Sequence, residues 1–186
     1  MNHYFDIEIL GDAEHSTQSL MNQAFNQLHF ELVNLKATDI GISFPKLGPK
    51  FLGQVLRVHG SQARCSEARS AIAANRKWQG LRDFIAISSV YPIPKEVSHI
   101  TVRRQQMPMA ASKVRRLLSR GSITQKRAEE LLEQRPMLTN PYARMRSTSS
   151  QQLYRLFIEQ GKPLKEPIDG VFNTFGLSSG ATVPAF

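Results

Sequence analysis

Apolar and polar residues alternate from Tyr4 to Leu10, with Phe5, Ile7 and Ile9 on one side and Tyr4, Asp6 and Glu8 on the other. That two-residue period predicts a half-buried strand. After Gly11 the period lengthens: Met21, Phe25, Leu28, Leu32 and Leu35 recur at three and four residues, predicting a helix capped by Ser16 or Thr17. Alternation returns at Ile40, Ile42 and Phe44 and stops at Pro45, and Leu56 and Val58 mark a further strand that ends at Gly60. Ala68, Ile72 and Ala73 give the segment from Ser61 to Arg76 a thin apolar side, predicting a second helix. Phe84 to Val90 predicts a last strand, closed by Tyr91, Pro92 and Pro94.

The order strand, helix, strand, strand, helix, strand is that of the ferredoxin-like βαββαβ unit, assigned here to residues 1–94. The remainder, residues 95–186, reads as a second, basic α/β domain, so the chain belongs to the α+β class. In it, Ser98 to Gln105 predicts a strand with Thr101, Arg103 and Gln105 on one face and Ile100, Val102 and Arg104 on the other. From Ala110 the pattern turns helical and stops at Gly121, with Val114, Leu117 and Leu118 on a narrow apolar side and Lys113, Arg116 and Arg120 on another. Ser122 and Gln125 have the spacing of a capping box for a further helix that runs through Gln134. Two strands follow, around Met145 and from Leu153 to Ile158, joined by the hydroxyl-rich turn Ser147, Thr148, Ser149, Ser150.

Charge changes this picture. Residues 1–94 hold 9 Lys and Arg against 8 Asp and Glu, a net of +1, whereas residues 95–186 hold 15 against 7, a net of +8. Between Glu96 and Glu129 there is no carboxylate, and eight Lys and Arg stand there. A cationic half of this kind calls for an anionic partner, nucleic acid or an anionic membrane surface. A membrane-surface helix would want Trp, Phe or more Leu opposite its cations than three apolar positions provide, so folded RNA is the better match. Arg103, with Gln105 beside it, suits base edges, because Arg can grip guanine and Gln adenine with paired hydrogen bonds; read plainly, the same residues are a solvated strand face. The hydroxyl turn beside Arg144, Arg146 and Arg155 can hold phosphate and ribose, or serve only as a polar hairpin turn. Tyr154 can stack on an exposed base pair or pack into the core.

The amino-terminal residues lack the uninterrupted apolar run of a signal peptide, and no window reaches the length of a membrane span, which predicts a cytoplasmic protein. Cys65 is the single cysteine and the five histidines have no metal-ligand spacing, so no metal site and no cofactor are expected. His29 falls on the border of the buried stripe of its helix, where an imidazole either packs or works as a base.

Taken together, the residues resemble the CRISPR-associated repeat-processing endoribonucleases of the type I-F (Ypest) subtype. The likeness runs through His3, Tyr4 and Asp6, the pair Leu28 and His29, GISFP at 41–45, GLRD at 80–83, RLFI at 155–158, GLS at 176–178, and Val183, Pro184 and Phe186. It implies a cytoplasmic enzyme, with His29 and Ser147 as catalytic residues, Arg103 and Gln105 as base readers, and Arg115, Arg116 and Arg120 on a helix in the groove of an RNA hairpin. Arg104, Lys113, Ser149, Phe175 and the stacking aromatic Tyr154 complete the expected RNA contacts. Phe175 stands where the family carries an active-site tyrosine, so a phenolic hydroxyl is missing there. The resemblance further implies a metal-free attack by the RNA 2′-hydroxyl at the 3′ base of the repeat hairpin, a 2′,3′-cyclic phosphate product, and partnership with other subunits of the type I-F interference complex. Two rival readings remain open from the residues: a structured-RNA binding module without catalysis, and a duplex-DNA regulator that uses the basic helix in a major groove.

Overall fold

Strand β1 (His3–Ile9) lies at the centre of the first sheet, with Phe5, Ile7 and Ile9 buried as the alternation predicts. It pairs antiparallel with β3 (Val55–Gly60) and β4 (Ile85–Ile87), and β2 (Gly41–Ser43) flanks β3, giving the order β2-β3-β1-β4. Helices α1 (Thr17–Asn34) and α2 (Gln62–Ala74) make the two crossovers and pack together on this sheet, which is the ferredoxin-like arrangement. Ser16 and Ser61 cap them, their hydroxyls accepting from the amides of Ser19 and Arg64 at 3.3 Å. This computed structural model describes residues 1–11, 14–106, 108–133, 138–147 and 151–186.

The last strand is shorter than the predicted Phe84 to Val90, because the chain first forms a 3₁₀ segment, Arg76–Phe84, that drops Trp78 and Leu81 into the core. The indole N–H of Trp78 donates to Glu31 Oε1 at 3.1 Å, and Asn75 Nδ2 donates to the same oxygen at 2.6 Å. A buried carboxylate and a buried indole are thereby both paired, as burial requires. Pairing with β1 resumes at the two-residue strand β5 (Tyr91–Pro92).

The second sheet is built on β6 (Ser98–Gln105), which pairs with β8 (Leu153–Gln160) along one part and with β9 (Thr182–Ala185) along the other, while β7 (Tyr142–Arg146) flanks β8. Between β6 and β7 the chain forms α3 (Ala111–Ser119) and α4 (Gln125–Glu133), which pack on each other. Helix α3 stops in a Schellman motif: Gly121 takes φ +67°, its amide donates to Leu118 O and the Ser122 amide to Leu117 O, both at 2.9 Å. Since Ser122 is occupied in closing α3, the cap of α4 is Thr124, whose Oγ1 accepts from the Arg127 amide at 3.2 Å.

One apolar cluster runs through both sheets, joining Phe25, Leu28 and Ile42 to Ile100, Val102, Met145, Ile158 and Val183. Where β9 meets β2 only glycine fits, since a Cβ on Gly41 would lie 2.5 Å from Val183 Cγ1. No helix among the described residues is long and apolar enough to cross a membrane.

Candidate functional site

Leu28 of α1 is fully buried and His29 beside it is half-buried, on the border where the periodicity puts it. Its imidazole meets the loop that precedes β9. His29 Nδ1 donates to the carbonyl of Thr174 at 2.8 Å, and the ring lies face to face on Phe175, with centroids 3.9 Å apart and planes 9° from parallel. Because a carbonyl only accepts, the proton of the neutral ring sits on Nδ1 and the lone pair on Nε2. Partial burial lowers the imidazole pKa below its ordinary 6.5, and the Thr174 carbonyl opposes that in part. The ring is thus held neutral near pH 7, with Nε2 as a base.

The loop itself is fixed by side-chain and backbone bonds. Asn173 Oδ1 accepts from the amides of Phe175 and Leu177 at 2.8 and 3.2 Å, and Gly176, at φ +70°, presents its carbonyl to the Ile42 amide at 2.9 Å. A side chain at Gly176 would meet Ile42 Cγ2 at 2.7 Å. Thr174 and Asn173 escape a reading of sequence, because nothing local marks them as partners of a histidine 145 residues away. The only trace is the Asn-Thr-Phe-Gly string, which has the residue types of an Asx turn.

Helix α1 also holds β7. The backbone groups of Tyr142 and Arg144 that point away from β8 are met by amide side chains: Gln18 Nε2 donates to Tyr142 O and Asn22 Oδ1 accepts from Arg144 N, each at 3.0 Å. Four residues of helix rise about 6 Å and two of strand about 6.6 Å, so the two elements keep step. The next step brings Asn26 and Arg146 to one cleft. His29 follows Asn26 by one helical turn, and Ser147 is the residue after Arg146. Ser147 is half-buried and its amide donates to Gln152 O at 2.9 Å. Ser149 lies outside the described residues.

The other predicted RNA contacts stand on the second sheet and its helices. Arg103 is exposed and pairs with Glu159 across the strands, Nη2 to Oε1 at 2.8 Å. The acid that the sequence lacks around Arg103 is therefore supplied by β8, and its hydrogen bond and charge raise the guanidinium pKa further. Gln105 is half-buried, and its Oε1 is buried without a hydrogen-bond partner among the described residues. Arg104 is exposed, with its guanidinium 5.9 Å from the ring of Tyr154. Tyr154 is half-buried against the core, and burial raises its phenol pKa against the opposing charge of Arg104. On α3, Val114 is buried while Lys113, Arg115, Arg116 and Arg120 are all exposed, and among the described residues these four make no ion pair. The structure thus brings His29 and Phe175 together, with His29 one helical turn beyond Asn26 of the α1–β7 cleft and Ser147 one residue beyond its Arg146.

Comparison with known proteins gives matches along nearly the whole chain. Residues 4–186 match the model of the family described as CRISPR-associated protein (Cas_Csy4). A protein of Escherichia coli (strain UTI89 / UPEC) named CRISPR-associated endonuclease Cas6/Csy4 is 39% identical over 191 residues, covering 100% of both chains. One of the same name from Pseudomonas aeruginosa (strain UCBPP-PA14) is 33% identical over 192 residues, again covering 100% of both. With a ferredoxin-like unit, a cationic second sheet and a match from end to end, the chain belongs to the Cas_Csy4 family of CRISPR-associated proteins.

Proposed function

We propose that this protein is a metal-independent endoribonuclease that binds a CRISPR repeat hairpin and cuts precursor crRNA at the 3′ base of the stem. The observation that carries this reading is His29, fixed by the Thr174 carbonyl and the face of Phe175 so that Nε2 is the basic nitrogen. Relatives that bear the name of an endonuclease over their full length support it. Residues 1–94 act as the unit that carries the base, and residues 95–186 as the unit that grips the hairpin through Arg103, Arg104, Gln105 and the cations of α3.

RNA brings its own nucleophile. His29 Nε2 takes the proton of the 2′-hydroxyl, the 2′-oxygen attacks the adjacent phosphorus, and the bond from phosphorus to the 5′-oxygen breaks. The products are a 2′,3′-cyclic phosphate on the hairpin and a 5′-hydroxyl on the flank, whose oxygen takes its proton from the imidazolium or from water. Ser147 bonds the ribose and holds its pucker, and Phe175 gives the imidazolium an aromatic face in place of a hydroxyl. The hairpin product stays bound in the cytoplasm and joins other subunits of the type I-F interference complex.

His29→Ala is expected to bind the repeat hairpin nearly as well as the wild type but to cut it about 10²–10⁴-fold more slowly in single turnover, with chelator present throughout. A 2′-deoxy residue before the scissile phosphate must abolish the cut. If the mutant cuts at the wild-type rate, His29 is not the base; if neither protein cuts, the chain is a hairpin-binding module.

A further inference from the structure

We infer that the cleft between α1 and β7 takes the single-stranded RNA on the leaving side of the scissile phosphate, a binding site separate from the one that grips the hairpin. This inference rests on the proposed endoribonuclease reading. The cleft has a volume of about 450 Å³ and is walled by Gln23 and Asn26 of α1 and by Tyr142, Arg144 and Arg146 of β7. Among the described residues no carboxylate lines it. Cavities of about 300–1,000 Å³ hold small organic ligands, so the space suits a nucleotide of a passing strand.

Three observations favour RNA as the occupant. Arg144 and Arg146 are exposed, and among the described residues neither makes an ion pair, which leaves both guanidinium groups for phosphate oxygens. The helix wall is made of uncharged amides and hydroxyls, which can bond ribose and base edges of any sequence. Finally, Asn26 Oδ1 is buried with no hydrogen-bond partner among the described residues, although Gln18 and Asn22 on the same face are both bonded to β7. A buried acceptor left unpaired is costly, and a turn of the Asn26 amide towards the cleft would let an amino or hydroxyl donor on the strand satisfy it.

The direction follows from where the cleft ends. At Asn26 it stops one helical turn short of His29, and at Arg146 one residue short of Ser147. A strand that passes through the scissile phosphate and leaves the hairpin therefore enters the cleft at once, and this strand is the 3′ flank. The 5′ flank departs from the other strand of the stem, a duplex width away. Held in this way, the 5′-oxygen of the flank is aligned opposite the attacking 2′-oxygen. After the cut, the flank keeps only its cleft contacts and leaves, while the hairpin keeps the contacts of the second sheet.

The test uses CRISPR repeat hairpins made uncleavable by a 2′-deoxy residue before the scissile phosphate, one ending at that position, one extended by about four 3′ nucleotides and one by about four 5′ nucleotides. Wild-type protein is expected to bind the 3′-extended RNA about tenfold more tightly than the bare hairpin, as one charge-assisted contact would give. In Gln23→Ala and Arg144→Ala the ratio of the two affinities falls towards one. A ratio of one in the wild type, with the hairpin bound, overturns the cleft assignment and leaves the proposed function standing. So does a ratio that both variants preserve, or one carried by the 5′ extension. Failure of every hairpin to bind removes the reading beneath as well.

Discussion

Helices α1 and α3 carry the two kinds of residue that the proposed function needs, and they are held in opposite ways. Helix α1 buries seven of its residues, is bonded to β7 through Gln18 and Asn22, and presents a histidine clamped from a third element. Helix α3 buries only Val114, packs mainly on α4, and shows its cations to solvent. The difference teaches that the two roles tolerate different precision. A misplacement of about 1 Å can cost a reaction about 10²-fold, so the proposed base stands on a helix anchored in the core. Coulomb attraction falls off slowly with distance, so cations can stand on a lightly anchored helix.

Salt offers the sharpest way to break this comparison. With about six phosphate contacts, hairpin binding should weaken roughly 10³-fold between about 50 and 200 mM salt, while the unfolding midpoint of the free protein hardly moves. Affinity measured by filter binding beside a thermal melt checks both halves. A flat binding curve would mean that the α3 cations do not carry the grip.

A middle-sized effect comes from acid, and it acts on the first sheet alone. His59 of β3 is fully buried, 2.8 Å from Ser43 Oγ, and burial first, then the charge of Arg57, push its pKa from 6.5 down to about 3. The folded ring stays neutral where the unfolded one takes a proton, so its contribution is complete above pH 6.5 and is lost as pH falls from there towards 3. Between about pH 6.5 and 5, before most carboxylates titrate, stability should drop by up to about 1.4 kcal/mol per pH unit from this group. Urea unfolding at several pH values, repeated on His59→Asn, should show the slope in the wild type and a flatter one in the variant; equal slopes would remove His59 as the cause.

The smallest effect sharpens the comparison inside the second sheet. Glu159 neutralises Arg103 before any RNA arrives, through an ion pair that is half in solvent. Such exposed pairs contribute little to folding, so Glu159→Gln should leave the melt almost unchanged and tighten hairpin binding by at most a few-fold. Weaker binding would show that Glu159 orients Arg103 for the RNA rather than competing with it.

The strand and helix order of the first sheet was legible because alternate residues of β1 and the three-and-four spacing of α1 record which side each element buries. The 3₁₀ segment was not, since Trp78 and Leu81 are driven inward by Glu31 and the core rather than by any repeat of their own. Likewise, Ser122 had the spacing of a cap, and only the closing of α3 in three dimensions handed that role to Thr124. Of the candidate site, the half-buried position of His29 and the exposure of the α3 cations could be read in advance. The neutralisation of Arg103 could not, because Glu159 is 56 residues away.

By itself, then, the sequence determined the ferredoxin-like order, the cationic second half and the position of His29 at the edge of a buried stripe. Tertiary structure alone decided which nitrogen of that ring carries the lone pair, which loop stacks on it, and that α1 and β7 enclose a cleft that begins one helical turn away. Periodicity and composition report a segment's own preference for burial, whereas these facts depend on pairs of residues far apart in the chain, brought together only when both sheets close on one core.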